Sequence, residues 1–143
     1  MKSRKAIYNA KGKRITVKST SRMHDKAWEQ FSIFIRKRGA TKDGINQCIT
    51  CSAQDHYKKL NAGHFRHNVL DFDEINVNVQ CVICNKWNSG RRDIYARVLT
   101  LQYGHEAVEA LHRRADLALK GEKKSYFDLE EIYLKYKAIN ECS

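Results

Sequence analysis

The sequence contains no proline, and only seven of its 143 residues are glycine. Because proline is the residue least compatible with a helix interior, its absence favours a helix-rich fold. The sequence also lacks any run of about 18 apolar residues, so we expect no membrane-spanning helix. Its basic N-terminal stretch contains no apolar segment of the kind found in secretory signals. We therefore expect a cytoplasmic protein that has no contact with a membrane.

Acidic residues are scarce in the first quarter of the chain. Residues 1–40 contain 12 Lys and Arg but only Asp25 and Glu29 as acids, whereas residues 41–143 contain 15 basic and 14 acidic residues. Nearly all of the formal net charge of +11 therefore belongs to the N-terminal part. This asymmetry favours contact with a polyanion such as a nucleic-acid backbone. A basic segment that only increases solubility is the alternative.

Four of the five cysteines form two CxxC pairs, Cys48 with Cys51 and Cys81 with Cys84. Two such turns can place four thiolates around one tetrahedral Zn²⁺, because each turn lets both of its sulfurs reach the ion. We therefore predict one structural zinc per chain, in preference to four ordinary buried cysteines. Four protein ligands leave no open position on the ion for catalysis. The remaining Cys142 is expected to be a free thiol.

Hydrophobic spacing predicts one α+β domain that is rich in helices. A basic arm or short hairpin is expected over residues 1–20, followed by a domain over 21–143 with its zinc-containing core at about 44–103 and C-terminal helices at 104–141. The first helix is expected from Ser21 to Gly39, and the last helix is expected to start near Ser125. The apolar face of the first helix is expected to contain Ala27, Trp28, Phe31, Phe34 and Ile35. The stretch "INVNVQCVIC" is expected to form a strand that enters the second cysteine pair. Later helices are expected to bury the apolar residues Ile94, Val98 and Leu101, then Ala107, Val108, Leu111, Ala115 and Ala118, then Leu129, Ile132, Tyr133 and Tyr136.

The stretch "NAGHFRHN" at residues 61–68 lies between the two cysteine pairs. Its two histidines are metal ligands, catalytic groups or parts of a polar surface turn. The stretch alone does not distinguish these three roles. His64 is followed by Asn76, and Asn85 comes directly after Cys84. This order of histidine, asparagine and asparagine, flanked by CxxC pairs, is the pattern of HNH or ββα-metal nucleases.

The region of about residues 22–105 resembles the phage NinG (Rap) recombination-nuclease family, and more distantly recombination endonuclease VII. The stretches that carry the resemblance are "WEQFSIFIRKR", "QCITC", "AGHF" and "LDFDEINVNVQCVICNKWNSG". The resemblance implies a small ββα-metal core braced by the zinc knuckle and surrounded by helices. It also implies a metal-dependent endonuclease that acts on branched recombination intermediates such as Holliday junctions or D-loops, in the host cytoplasm if the protein is phage-encoded. Resolving a junction needs two coordinated cuts, so a homodimer is expected.

In this resemblance, His64 is the general base and Asn76 orients His64 or braces the hairpin. Asn85 is a ligand of the catalytic Mg²⁺, with Mn²⁺ as an alternative ion. Many HNH nucleases have an acidic metal ligand immediately before the catalytic histidine, where this sequence has Gly63. Asn61, a more distant acid such as Asp71 or Asp73, or water would then complete the metal shell.

Each of these residues also has a structural interpretation. Asn76 can cap a turn, and Asn85 can cap the helix after the knuckle. His67 is a zinc-type ligand, a phosphate contact or without a role, and the last two are favoured. Arg91 and Arg92 form either a phosphate clamp or a solvated pair. The residues expected to contact DNA are Arg36, Lys37, Arg38, Arg66, His67, Arg91 and Arg92. Two rival functions remain: a non-catalytic zinc-ribbon DNA-binding protein, and an HNH nuclease of the restriction or homing type.

Overall fold

The computed structural model describes residues 4–121 and 123–143. Its four α-helices are α1 (Val17–Lys37), α2 (Arg92–Tyr103), α3 (His105–Lys120) and α4 (Tyr126–Glu141). Its four short strands are β1 (Ile45–Gln47), β2 (Gln54–His56), β3 (Asn61–His64) and β4 (Val77–Gln80). A 3₁₀ turn spans Tyr57–Lys59, and a π-helical turn spans Ile83–Trp87. The fold is therefore a mixed α+β arrangement, as the sequence predicts.

Helix α1 begins at Val17, four residues before the predicted start at Ser21. Thr16 supplies the reason, because its side chain accepts a hydrogen bond from the Ser19 amide while the Ser19 hydroxyl accepts one from the Thr16 amide. This reciprocal capping satisfies two amide groups that would otherwise lack partners at the helix start. The boundary predicted between residues 20 and 21 thus falls inside α1. Ahead of it, Tyr8 and Arg14 pair across a short antiparallel bridge, in line with the predicted hairpin.

The strands form two separate antiparallel pairs, β1 with β2 and β3 with β4. In the second pair, Asn61 lies opposite Gln80 and His64 lies opposite Val77. Side chains of successive strand residues point to opposite faces. Asn61, Gly63, Asn78 and Gln80 therefore share one face of the β3–β4 hairpin, and Ala62, His64, Val77 and Val79 share the other.

Helices cover both faces of this hairpin. On the His64 face, Val77 packs with Phe31 and Ile35 of α1 and with Tyr136 of α4. On the far side, Phe65 after β3 packs with Tyr95 and Leu99 of α2 and with Val108 and Leu111 of α3. The polar residues of the predicted strand are therefore buried too, with Asn76 and Gln80 each 0% exposed. Buried polar groups need hydrogen-bond partners, which gives these side chains specific structural roles.

The predicted inward faces of α1, α3 and α4 are largely confirmed, whereas on α2 Ile94 and Val98 are only half-buried and the prediction for Leu101 is wrong. Leu101 is 83% exposed, and the buried residues of α2 are Tyr95 and Leu99. The buried Tyr95 hydroxyl donates to the carbonyl oxygen of Gly63 at 2.8 Å, which fixes the side of α2 that faces the hairpin. In α3, the predicted Ala118 is also exposed.

No helix among the described residues combines the length and the apolar character needed to cross a membrane.

Candidate functional site

The sulfur atoms of the four paired cysteines converge, as the sequence predicts. All four lie within 4.8 Å of one another, and the Sγ atoms of Cys51 and Cys81 are 3.6 Å apart. A tetrahedral zinc with Zn–S distances of about 2.3 Å would separate its sulfurs by about 3.8 Å. The cluster therefore has the donor type and the spacing to hold one zinc ion.

A backbone hydrogen bond joins the first CxxC turn to β4, the strand that leads into the second turn. The Ile49 amide in the first turn donates to the carbonyl oxygen of Val79 in β4 at 2.9 Å. The Cys84 amide donates to the Cys81 sulfur at 3.4 Å, the type of bond that stabilises a thiolate. The cluster thus holds the start of the π-helical turn against the β3–β4 hairpin.

The four thiols do not share negative charge equally. Burial raises the pKa of Cys48, but hydrogen bonds from the Thr50 hydroxyl and from nearby backbone amides outweigh burial and lower that pKa to about 6. At Cys51 the Ala53 amide lowers the pKa, and burial together with the neighbouring cysteines outweighs this and raises it to about 12. Negative charge on one sulfur therefore opposes ionisation of the next, and a divalent cation relieves this repulsion.

Outside the cysteine cluster, His64 at the end of β3 is hydrogen-bonded to Asp71. The His64 Nε2 atom lies 3.0 Å from Asp71 Oδ1, and Nε2 of His24 in α1 lies 2.9 Å from Asp71 Oδ2. The His64 ring also stacks on Trp28, with ring centroids 5.1 Å apart. One carboxylate and one indole therefore fix the orientation of the His64 imidazole.

The hydrogen bond from His64 is the largest influence on Asp71. Together with the bond from His24 it outweighs burial and holds the pKa of Asp71 below its ordinary value. Asp71 is therefore a carboxylate at neutral pH. Among the described residues, no hydrogen bond involves Nδ1 of His64, whose side chain is 21% exposed. An imidazole held by a carboxylate at one nitrogen and open at the other is the arrangement of a general base.

Asn76 braces the loop between β3 and β4. Its side chain accepts a hydrogen bond from the Arg66 amide and donates to the carbonyl oxygens of Arg66, Val69 and Leu70. That loop contains Leu70 at φ +51, a backbone conformation that a leucine rarely adopts without support. Of the two predicted roles, the described contacts match bracing of the hairpin through its backbone. No hydrogen bond joins the Asn76 side chain to the His64 ring in the part of the chain that the structure describes.

Asn85 lies within the π-helical turn, and Arg91 occupies the N-cap position of α2. The structure therefore does not place Asn85 as a cap of α2. Its Oδ1 atom lies 3.0 Å from the position that a Cβ atom on Gly63 would occupy. Because His64 is the next residue along β3, the Asn85 amide and the His64 ring lie on opposite faces of the hairpin. The two side chains therefore approach the same strand from its two sides and do not contact each other.

The space that a side chain at residue 63 would fill is occupied by Gln80. The Gln80 Oε1 and Cδ atoms lie closest to the position of the missing Cβ. The Gln80 Nε2 atom donates to the Thr50 hydroxyl at 3.1 Å and to the Gly90 carbonyl oxygen at 3.0 Å. Its Oε1 atom is buried and has no hydrogen-bond partner among the described residues. The amide oxygens of Gln80 and Asn85 thus border one cradle beside Gly63.

The predicted ligand Asn61 lies opposite Gln80 on this same face of the hairpin. Its Nδ2 atom is buried and, like Gln80 Oε1, has no hydrogen-bond partner among the described residues. The structure therefore places Asn61 near the cradle and away from the His64 ring. An amide nitrogen cannot ligate a cation, so only its oxygen fits the predicted role.

Four of the seven predicted DNA contacts form hydrogen bonds inside the protein. Arg36 donates to the carbonyl oxygen of Tyr57, Arg38 donates to Asn78, and Arg66 bonds to His112 and Asp116. Burial lowers the pKa of Arg36, in keeping with its position between two elements. The structure therefore gives these arginines a role in packing, and Lys37 likewise donates to Ser143.

The other three predicted DNA contacts lie together at the start of α2. Arg92 and His67 are exposed, and the imidazole of His67 borders Gly90. Burial lowers the pKa of His67, and the charge on nearby Arg92 lowers it further. Arg91 has φ +46, a strained left-handed conformation for a residue with a side chain. The two arginines therefore form a basic surface beside the neutral His67 imidazole, near the end of β3.

A family model described as "Bacteriophage Lambda NinG protein" matches residues 2–141. The chain belongs to the NinG family. It is 32% identical over 103 residues to Protein ninG of Escherichia phage 933W, covering 69% of this chain and 49% of that protein. Against Protein ninG of Escherichia phage lambda the identity is 31% over 103 residues, covering 69% and 48%. Against Protein ninG of Salmonella phage P22 it is 32% over 109 residues, covering 71% and 51%.

This NinG family member spans about half the length of the curated relatives that it matches. No solved structure matches the chain. The NinG family membership predicted from the sequence is confirmed by the family model and by these relatives.

Sequence reasoning missed His24, Trp28 and Gln80 as neighbours of the candidate site. His24 is separated from Asp71 by 47 positions, so no local spacing connects them. Trp28 follows the apolar periodicity of α1, which identifies it as a core residue without showing that it stacks on His64. Gln80 precedes the second CxxC pair, and only the register of β3 with β4 places it beside Gly63.

Proposed function

We propose that this NinG family protein is a metal-dependent DNA endonuclease of the HNH type that cuts branched recombination intermediates. The observation that carries the proposal is the hydrogen bond between Asp71 and His64 at the end of β3. It leaves one imidazole nitrogen open on a basic protein, beside the hairpin and π-helical turn that would form a ββα-metal core. The non-catalytic zinc-ribbon alternative accounts for the cysteines and the charge, but it assigns no role to this pair.

We place the DNA along the edge of β3 that does not pair with β4. Among the described strands, β3 pairs only with β4, so its other edge carries no strand. A phosphodiester along this edge can reach the His64 imidazole from one face of the hairpin and the Asn85 amide from the other. His67, Arg91 and Arg92 would contact the neighbouring phosphates.

In the proposed reaction, Nδ1 of His64 accepts a proton from a water molecule. The oxygen of that water attacks phosphorus, and the bond from phosphorus to the 3′ oxygen breaks. The departing 3′ oxygen takes up a proton from solvent water, which leaves a 5′-phosphate and a 3′-hydroxyl. Asp71 keeps the imidazole in the required orientation and stabilises the imidazolium that forms. The zinc cluster would hold the hairpin and the π-helical turn in place without taking part in the chemistry.

The donors beside Gly63 fit a hard divalent cation. Asn85 and Gln80 each offer an amide oxygen, and the Gln80 oxygen has no other partner among the described residues. Such oxygens suit Mg²⁺ or Mn²⁺, which also retain water and bind substrate phosphates. When bound there, the cation would balance the charge that develops on the phosphate and the departing oxygen. Because both protein donors are neutral, we expect weak binding without DNA.

We also propose that the protein acts as a homodimer, because cutting both sides of a junction requires two active sites. Exposed apolar side chains on the C-terminal helices offer a surface for this contact, among them Leu117, which is 70% exposed, and Leu134, which is 54% exposed. Light scattering of the purified protein measures its mass in solution. A monomeric mass with and without junction DNA would contradict the dimer.

The decisive experiment compares the wild-type protein with His64→Ala on a labelled four-way junction, a D-loop and a linear duplex, with Mg²⁺, Mn²⁺ or EDTA. We expect cleavage of branched DNA that requires a divalent cation and that falls at least about 100-fold in His64→Ala. Undiminished cleavage by the variant, or no cleavage by the wild type, would reject the catalytic proposal. Equal rates on linear and branched DNA would reject the branched substrate and favour a nuclease of the restriction or homing type.

A further inference from the structure

A basic groove of about 660 Å³ lies between the N-terminal hairpin, α1 and α4. Three separate parts of the chain contribute its positive side chains, which are Lys11, Lys13, Arg14, Arg22, Lys26 and Lys137. Glu130 is the one acidic residue among the described residues that line it. The structure thus concentrates much of the N-terminal charge in a concave surface.

Among residues 4–121 and 123–143, the basic side chains of this groove form no ion pairs. Like charges held close together repel one another, so their convergence favours a polyanionic ligand. By contrast, Arg66 and Arg114 elsewhere in the molecule form ion pairs with aspartates.

The groove also contains a half-buried aromatic ring. The Nζ atoms of Lys26 and Lys137 lie 5.6 Å and 5.7 Å from the ring centroid of Tyr133. Sites for single-stranded nucleic acid combine a positive groove that follows the backbone with aromatic rings that stack on bases. A groove of this size can hold part of one strand but cannot enclose a duplex.

The groove lies across α1 from the candidate catalytic residues. At about 100° per residue, His24 is about 200° around the helix from Arg22, which lines the groove. His24 and Trp28 therefore face His64, while Arg22 and Lys26 face away from it. A DNA strand in the groove would not compete with DNA at His64.

We propose that this groove binds a single-stranded segment of DNA while a neighbouring duplex segment lies at His64. The placement of a duplex segment at His64 rests on the proposed nuclease function. The groove narrows the expected substrates within the class of branched DNA. Branched DNA with an unpaired strand, such as a D-loop or a flap, engages both surfaces, whereas a fully paired four-way junction engages the groove less well.

The test measures binding of fluorescent oligo-dT by anisotropy over a range of KCl concentrations in EDTA, so that no cleavage occurs. The groove variant is Lys26→Gln with Lys137→Gln, and the matched control is Lys58→Gln with Lys59→Gln, two exposed lysines outside the groove. Circular dichroism and thermal melting establish that both variants fold. We expect the groove variant to bind about tenfold more weakly, with a slope of log affinity against log salt reduced by about 1.4, or about 0.7 for each lost phosphate contact.

A second variant, Tyr133→Leu, tests stacking separately. We expect it to weaken binding of oligo-dT while leaving the salt slope unchanged, because no charge is removed. Absence of oligo-dT binding by the wild type, or equal loss in the groove and control variants, would overturn the proposal. Equal dependence of single-stranded and duplex binding on the groove lysines would overturn the assignment to single strands.

Oligo-dT binding tests the groove proposal, and DNA cleavage tests the nuclease proposal, so failure of one can be told apart from failure of the other. His64→Ala should bind oligo-dT like the wild type. If neither the wild type nor any variant cleaves DNA but the groove variant loses binding of oligo-dT, the groove proposal is supported and the nuclease proposal fails. If cleavage depends on His64 but the groove and control variants bind alike, the nuclease proposal stands and the groove fails.

Discussion

The Oδ1 atom of Asp71 lies 3.0 Å from Nε2 of His64, and this hydrogen bond connects the loop after β3 with the end of that strand. The other carboxylate oxygen of Asp71 accepts from His24 in α1. Asp71 therefore ties the first helix to the candidate base. If His64 acts as proposed, Asp71 is a positioning residue for its imidazole.

The first prediction concerns Asp71→Asn. An asparagine keeps the size of the side chain but loses the negative charge that stabilises the imidazolium, so we expect junction cleavage to fall about 100-fold or more. Binding of the same junction in EDTA should change less than about twofold. His24→Gln is the matched control, because it leaves the bond between Asp71 and His64 intact and should retain most of the activity. Wild-type cleavage rates in Asp71→Asn would contradict an orienting role.

The second prediction is an acid-dependent contribution to stability. Because the His64 hydrogen bond holds the pKa of Asp71 below its ordinary value, folding favours the carboxylate form. This contribution is present above the ordinary aspartate pKa and is lost as the pH falls through the lowered value in the folded protein. The difference in free energy of unfolding between wild type and Asp71→Asn should therefore shrink as the pH falls below the ordinary aspartate pKa of about 4. Urea titrations at several pH values measure it, and a constant difference would contradict the assignment.

The third prediction concerns the cysteine cluster. We expect about one zinc per chain by metal analysis, because four thiolates satisfy one tetrahedral ion. Cys81→Ser should lose the metal and several kcal/mol of stability, since binding energy at a structural zinc contributes directly to folding. Cys142→Ser is the control, because Cys142 is exposed and outside the cluster. Equal zinc content and stability in the two variants would contradict a structural zinc site.

The parts of the fold that follow from local spacing could be predicted from the sequence. The CxxC turns, the apolar face of α1 and the start of α4 at Ser125 each depend on residues a few positions apart. The face of α2 could not be predicted, because a long-range hydrogen bond from Tyr95 to Gly63 turns that helix and leaves Leu101 exposed. For the same reason, the sequence shows that Arg38 and Arg66 are charged, but it does not show that both side chains form hydrogen bonds inside the protein.

The candidate site could also be predicted from the sequence only in part. The order of His64, Asn76 and Asn85 is visible in the sequence, whereas the pairing register that puts Gln80 beside Gly63 is not. A glycine before the histidine looks like the loss of a metal ligand when only the sequence is considered. The structure shows that Gln80 approaches from the opposite strand and fills the space that a side chain there would take.

The last prediction tests this contact through Gly63→Ala. A Cβ atom at residue 63 would overlap Gln80 Oε1 and lie 3.0 Å from Asn85 Oδ1, so the variant must displace at least one amide. Overpacking of this kind typically costs about 1–3 kcal/mol, which urea unfolding measures. Gln80→Ala is also expected to destabilise the protein, because the Thr50 hydroxyl and the Gly90 carbonyl oxygen lose their hydrogen bonds.

A double-mutant cycle separates the overlap from these other losses. In the double variant the added methyl group has room, so the total destabilisation should be smaller than the sum of the two single values by about 1 kcal/mol or more. Ala62→Gly, on the other face of the same strand, serves as a control that should combine additively with Gln80→Ala. Strict additivity of Gly63→Ala with Gln80→Ala would show that the two residues do not share this space, and it would remove Gln80 from the proposed cation site.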